Sequence, residues 1–327
     1  MFRILRWQRQ LVLAFCGLCA VMAAVSWYVA FDSADRRIDA YVAEEVSQNE
    51  RAASGISQSL AARLELLRGL PAVGASFSMV HRSVSEASSG QRDFSALNER
   101  LKRTAADLGA DVVWILDESG ACIAASNFDR PDSFVGIRYA DRAYFEQAIR
   151  GQRGHQFGVR RQTGIPGLFY SAPIIASGRP VGAVVLKLDV QRLASLVAGT
   201  DAFITDRDGV IILASDPGLL MRALPGARVH GLPPASREAI YRRDRFDELP
   251  IKPAGKSGKR RMVLMGDSEA VHAMSSMPVP DSTLTVHAYS ALDHSATIRA
   301  DAERNFALLL FGAVMASALV MLSRADL

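Results

Sequence analysis

Residues 182–189 (GAVVLKLD) place charge on an otherwise apolar run. On a β-strand, Val184, Leu186 and Leu188 share one face, and Val185, Lys187 and Asp189 share the other. Lys187 and Asp189 then face either a polar pocket or solvent, where they would form a plain i,i+2 ion pair. A second cluster, Tyr139-x-x-Arg142-x-Tyr144-Phe145, favours the pocket. It opens an expected helix over residues 139–150, with Gly151 and Gly154 as stop signals. Arg142 can hold a carboxylate through two parallel hydrogen bonds, and a helix N-terminus attracts anions. Thr163, Tyr170 and Ser171 offer hydroxyl donors, on a loop shaped by Gly164, Pro166 and Gly167. The set suits a small carboxylate, with Arg142 at one end and Lys187 at the other. Burying an anion requires such pairing, because an unmatched buried charge costs several kcal/mol.

Other chemistry finds little support. The six histidines (81, 155, 230, 272, 287, 294) show no metal-ligand spacing, and no nucleophile–base–acid set is apparent. No catalytic residue, metal or cofactor is expected. Gly255-Lys256-Ser257 lacks the glycine that a phosphate loop needs five residues earlier, where Pro250 stands. Residues 252–261 are expected to be a solvated hairpin tip, with a lipid-headgroup contact as the sharper reading. Arg160-Arg161 is a further basic pair without an assigned role.

The elements that position the pocket can be read along the chain. Residues 111–126 (DVVWILDESGACIAAS) and 201–215 (DAFITDRDGVIILAS) both give strand, D-x-x-G turn, strand. Asp117, Gly120, Ala125 and Ser126 match Asp206, Gly209, Ala214 and Ser215 at one constant offset, which predicts duplicated lobes. The first lobe continues with strands near 155–161, 168–175 and 181–189, turning at Ser177-Gly178 and Pro180, then a short helix over 191–198. The second has Pro/Gly-rich loops over 224–234 and strands near 260–265, 270–276 and 283–289. Before both lobes, residues 32–80 read as a long amphipathic helix. Ile56, Leu60, Leu64 and Leu67 form its apolar stripe, available to pack on its own domain or to dimerise. Residues 83–93 (SVSEASSGQRD) read as a polar loop.

The chain has 327 residues, 38 Lys+Arg against 34 Asp+Glu, and a net charge of +4, too small to argue for nucleic acid without a clustered basic face. A mean hydropathy of +0.10 is high for a soluble module, and the excess lies at the two ends. Residues 11–31 are uncharged, and a bilayer core needs about 20 such residues. Arg3, Arg6 and Arg9 precede them, which places the N-terminus in the cytoplasm. A cleaved signal peptide is the competing reading, but the run exceeds its usual apolar core and no A-x-A site follows. Residues 306–322 form a second uncharged run, short for a span, with a buried core helix as the alternative. Cys16 and Cys19 lie in the first run, so Cys122 has no intrachain partner outside it.

The motifs Tyr139-x-x-Arg142-x-Tyr144-Phe145, Thr163-Gly-x-Pro-Gly-x-Phe-Tyr-Ser171 and G-x-V-V-x-Lys187-x-Asp189 resemble the membrane-distal lobe of double Cache sensor regions, nearest to those of C4-dicarboxylate sensor histidine kinases. The resemblance covers about residues 32–322. It implies an α+β fold, with a long stalk helix and two tandem PAS-like antiparallel-sheet lobes flanked by two transmembrane helices. It also implies a succinate-like ligand ringed by Tyr139, Arg142, Thr163, Ser171 and Lys187. Arg142-Ala-Tyr144-Phe145 differs from the Arg-x-Trp-Tyr of amino-acid-sensing relatives, while Asp189 stands where those anchor an amino group. The implied layout is a cytoplasmic 1–10, span 11–31, stalk 32–80, distal lobe 81–198, proximal lobe 199–291, connecting helix 292–305, span 306–322 and stub 323–327. The expected protein is a two-pass bacterial inner-membrane sensor with an extracytoplasmic module, dimerising through its stalk and spans. No kinase, cyclase or methylation motif occurs after the second run, so an output domain is expected elsewhere. The alternatives are an amino-acid or organic-acid receptor feeding a cyclase or chemotaxis output, and a stand-alone non-enzymatic sensor.

Overall fold

The computed structural model describes residues 2–90, 93–159, 166–254, 262–266 and 270–325, with side chains from residue 15 to 318. The expected α+β class holds: long helices and two antiparallel sheets. Helix α1 (Phe2–Ala75) is continuous through both the first apolar run and most of the stalk, and carries Pro71 inside it. Helices α2 (Ser78–Ser88) and α3 (Ser95–Leu108) follow. Strands β1 (Val112–Asp117) and β2 (Cys122–Ala125), helix α4 (Ala143–Ile149), and strands β3 (Gly154–Val159), β4 (Pro166–Ala176) and β5 (Arg179–Asp189) make the first lobe. The second comprises β6 (Ala202–Thr205), β7 (Ile211–Ala214), α5 (Pro234–Tyr241), β8 (Ile251–Pro253), β9 (Met262–Met265), β10 (Val271–Pro278) and β11 (Thr285–Ala291), before α6 (His294–Ala325). The sheets run β2-β1-β5-β4-β3 and β7-β6-β11-β10-β9-β8.

The chain divides into two compact units. One is Glu50–Ile251 with Ser275–Tyr289; the other is Met1–Asn49, Lys252–Met274 and Ser290–Leu327. In the first, Ile56, Leu60, Leu64 and Leu67 of α1 are buried against one face of the first-lobe sheet (Leu168, Tyr170, Val184, Leu186) and against Ile204 and Val286 of the second. Burying each such side chain contributes about 1.5–3 kcal/mol. The stripe therefore packs on its own domain. In the second unit, α6 lies on α1 through Ala34, Ile298 and Ala302, and Phe31 meets Phe306 at 6.2 Å.

The duplicated hairpin extends to single hydrogen bonds. Trp114, Ile115 and Leu116 pair with Ala125, Ala124 and Cys122; Phe203, Ile204 and Thr205 pair with Ala214, Leu213 and Ile211, with the bulge at the same step. The Asp117 carboxylate accepts from the amides of Ser119 and Ala121, as Asp206 does from those of Asp208 and Val210. Ser126 and Ser215 accept from the amides of Val113 and Ala202. Gly120 and Gly209 have φ of 80° and 79°, a conformation that disfavours any Cβ.

Several expectations are corrected. Residues 83–88 are helical rather than loop, because Val80, Ser83 and Val84 are buried at helical spacing. Helix α3, unanticipated, buries Leu97, Leu101 and Ala105 and ends on the left-handed Gly109. The long helix stops at Ala75 rather than running to residue 80. The helix expected over 139–150 begins only at Ala143, because Arg142 is extended (φ −97°, ψ 131°). Pro180 sits inside β5 opposite Ile175, and residues 190–196 form a 3-10 turn. Residues 160–165 and 255–261, which hold Arg160, Arg161, Thr163 and the Gly255-Lys256-Ser257 run, lie outside the described residues.

Candidate functional site

Strand β5 is central in the first-lobe sheet, and its two faces differ as the period-two pattern requires. Val184, Leu186 and Leu188 enter the core against α1, while Val185 and Lys187 face the other way. That second face bears an aromatic wall: Trp114, Phe134, Tyr139, Tyr144 and Phe169. Tyr144 stacks on Phe169 (5.4 Å, 11° between rings) and meets the edge of Trp114 at 6.0 Å. Tyr139 lies 5.7 Å from Phe134 and 6.0 Å from Trp114.

Lys187 is 1% exposed and forms an ion pair with Asp189. The pair expected for a solvated face is therefore present, but the lysine is buried. A Cβ at Gly167, on the neighbouring strand, would come within 2.6 Å of the Lys187 Cε, so a larger residue there would push the lysine side chain aside. Asp189 is partly exposed, and its amide donates to Asp111 Oδ2. Ser171 Oγ donates to the Tyr144 carbonyl at 2.6 Å, tying β4 to α4.

Arg142 is 6% exposed and caps α4, with its carbonyl accepting from the amides of Phe145 and Glu146. Its Nη1 donates to the Ala239 carbonyl on α5 at 3.1 Å. A cavity of about 340 Å³ opens beside it, lined also by Asp141, Gln156, Asp206, Asp208 and Tyr241. Burial drives the Tyr144 phenol well above its usual pKa, opposed by the nearby Arg142 charge. The Tyr144 hydroxyl and the Trp114 indole N–H have no hydrogen-bond partner among the described residues. A buried polar group left so costs about 1–3 kcal/mol and calls for a ligand or water.

The structure thus brings Tyr139, Tyr144, Ser171, Lys187 and Asp189 to one side of the sheet, with Arg142 at the start of the helix that carries Tyr144. It does not bring Tyr170 there. Adjacent strand residues point to opposite faces, so Tyr170 lies in the core toward α1, where burial first, opposed by Arg68, raises its pKa to about 12. The helix-terminus contribution to anion binding is also withdrawn, since α4 has seven residues and Arg142 precedes it. Sequence reasoning did not single out Trp114 or Phe169; their alternation with core residues on β1 and β4 was the available signal. It also missed Asp206, Asp208 and Tyr241. Tyr241 donates to Asp206 at 2.5 Å and to Asp208 at 3.0 Å, all three buried.

A long helix and two antiparallel sheets, one with a buried cation and an aromatic wall on one face, define the class by fold and site. The chain belongs to the Cache domain family, whose profile matches residues 32–292. It is 28% identical over 288 residues to the C4-dicarboxylate transport sensor protein DctB of Rhizobium meliloti, covering 86% of this chain and 45% of that protein. The chain thus spans less than half of that relative's length. Among solved structures, the sensor domain of the V. cholerae histidine kinase DctB superposes with a TM-score of 0.64 at 22% identity, covering 78% of this chain and 98% of that one. The ligand-binding domain of Mlp24 with asparagine gives 0.53 at 14% identity, covering 82% and 99%. At these identities the structures establish the fold alone.

Proposed function

We propose that this chain is the sensing portion of a C4-dicarboxylate-responsive sensor histidine kinase, held in a bacterial inner membrane by α1 and α6, with the two lobes outside the cytoplasm. The observation that carries the reading is the buried Lys187, set on the same aromatic face as the unpartnered Tyr144 hydroxyl and beside the helix that Arg142 caps. Two cations with fixed donors suit two carboxylates. One end of a succinate-like ligand takes the Arg142 fork, and the other takes Lys187, whose ammonium has donors to spare beyond Asp189. Tyr139, Tyr144 and Thr163, the last outside the described residues, supply further hydrogen bonds, while Ser171, whose hydroxyl proton goes to the Tyr144 carbonyl, holds that tyrosine in place. Asp189 is engaged by Lys187, which disfavours the ammonium of an amino acid at that position.

The membrane assignment draws on α1, which is long and apolar enough over its N-terminal part to cross a bilayer. On α6 the exposed Leu308, Leu309, Phe311, Val314 and Met315 support a second span. Occupancy biases two arrangements of α1 and α6, by no more than the ligand's differential affinity for them. The output kinase lies beyond this chain, and two copies associate through α1. Micromolar to millimolar affinity, about −8 to −4 kcal/mol, fits such sensing.

The test is a thermal-stability panel on the whole chain in detergent, with succinate, fumarate, malate, propionate and asparagine. The dicarboxylates raise the midpoint, propionate does not, and Arg142→Ala abolishes the effect. Stabilisation by asparagine alone selects the amino-acid reading; no dicarboxylate effect removes the proposal.

A further inference from the structure

Helix α5 joins the candidate site to the second hairpin. At one end of this connection, the Ala239 carbonyl accepts from Arg142 Nη1. At the other, the Tyr241 hydroxyl is held by both Asp206 and Asp208. Phe157 of β3 packs on the Tyr241 ring at 5.9 Å and Phe246 meets it edge-on at 5.1 Å, which fixes the ring as well as its hydroxyl. Arg207 and Arg228 stand 3.5 Å from Asp208. Burial first, then the two carboxylates, push the Tyr241 phenol upward, so it stays protonated and remains a donor.

The guanidinium of Arg142 is a planar fork with five N–H donors. Left to rotate, it would sample many orientations, few of which meet a carboxylate with two bonds. Fixing one donor on a carbonyl that cannot move selects the plane in which the other donors lie. The Ala239 carbonyl is fixed only because α5 is, and α5 has just eight residues with a single buried side chain, Tyr241. Its anchorage therefore leans on that tyrosine, with the half-buried Ile240 packed beside it.

We propose that Tyr241 is a positioning residue for the carboxylate site, holding α5 so that the Ala239 carbonyl orients the Arg142 guanidinium toward the ligand. This rests on the dicarboxylate reading of Arg142. It gives the Asp206–Asp208 pair a purpose in the second lobe: they anchor the residue that orients a cation in the first.

The test is a double-mutant cycle on the whole chain in detergent, read by titration with succinate. Tyr241→Phe weakens binding about fivefold, the size expected when one ordinary net hydrogen bond is lost. In an Arg142→Lys background, where the fork is absent, the same change shifts the dissociation constant less than about twofold. Asp206→Asn, whose one carbonyl oxygen keeps the amides of Asp208 and Val210 while Asp208 still accepts from Tyr241, leaves affinity within about twofold of the parent. An unchanged constant for Tyr241→Phe, or an equal loss in both backgrounds, overturns the proposal. Hydrogen exchange of the unsubstituted chain covers the case in which Tyr241→Phe does not fold. Succinate slows exchange at residues 238–242 together with 183–188. Slowing at 183–188 alone removes the positioning role and leaves the site intact; slowing at neither removes the dicarboxylate reading itself.

Discussion

Where the first lobe carries Lys187, the second carries Tyr289. The equivalence follows from register: Trp114 pairs with Val185 and Phe203 pairs with His287, so two residues further along each strand lie Lys187 and Tyr289. The loops after the hairpins align too. The Tyr139 amide donates to the Gly120 carbonyl and that of Arg142 to Tyr139; the Leu224 amide donates to Gly209 and that of Ala227 to Leu224. Arg142 thus corresponds to Ala227, and both cations of the first lobe are absent from the second. In their stead the second lobe buries two carboxylates, where the first has the half-exposed Asp117 and the exposed Ser119. One scaffold carries two opposite electrostatic designs. The proposed anion recognition falls to the first lobe because the scaffold supplies only aromatic walls and hydrogen-bond registers, while the charges come from a few free positions.

The largest expected effect that would break this contrast is on binding. Lys187→Met keeps the volume, removes the ammonium, and lowers succinate affinity at least about a hundredfold, near 3 kcal/mol. Its thermal midpoint changes little, because a buried charge is exchanged for an apolar chain. Retained affinity in calorimetry would show that the buried lysine serves the core alone.

The second lobe carries buried groups whose protonation is coupled to folding. Burial, reinforced by Asp208 and opposed by the Tyr241 hydroxyl, raises Asp206 to about 6 from an ordinary 3.8. A carboxyl raised on folding favours the fold in its protonated form, so its contribution is present below about pH 4 and is lost as pH rises through 6. Asp206→Asn therefore stabilises the chain by about 1–3 kcal/mol at pH 7, and the gain disappears by pH 4. Melting curves at the two pH values measure it; an equal gain at both would rule out titration as the cause.

His287 opposes Asp206 in the same window. Buried between Thr205 and Ser276 and stacked on Phe203, it is lowered to about 4 by desolvation. A base depressed on folding contributes stability above its unfolded value near 6.5, lost as pH falls toward 4. His287→Gln flattens that acid loss by about 1–2 kcal/mol between pH 6.5 and 4, again in melting curves. The smallest effect is a zero. Tyr289→Lys alone leaves one succinate per chain, because Ala227 supplies no partner cation; a second site in calorimetry would show that one lysine suffices.

Local features of this fold were readable from the sequence and long-range ones were not. The paired D-x-x-G turns are set by residues within four positions, and the two faces of β5 follow from alternation alone. The same alternation excludes Tyr170 from the face of Ser171, a conclusion that grouping residues by motif concealed. Helix α3 was overlooked because Glu99, Arg100, Lys102 and Arg103 mask its stripe of Leu97, Leu101 and Ala105. Burial of Asp206 and Asp208 depends on a tyrosine more than thirty positions away, and nothing in the hairpin sequence announces it.

The central claim is that the first lobe alone holds a dicarboxylate between two buried cations. Calorimetric titration of the whole chain with succinate at pH 7 tests it most directly, run alongside Arg142→Ala and Lys187→Met. The account predicts one site per chain, with binding lost in both variants while their folding is retained. Undiminished binding in either variant, or two equivalent sites, would contradict it.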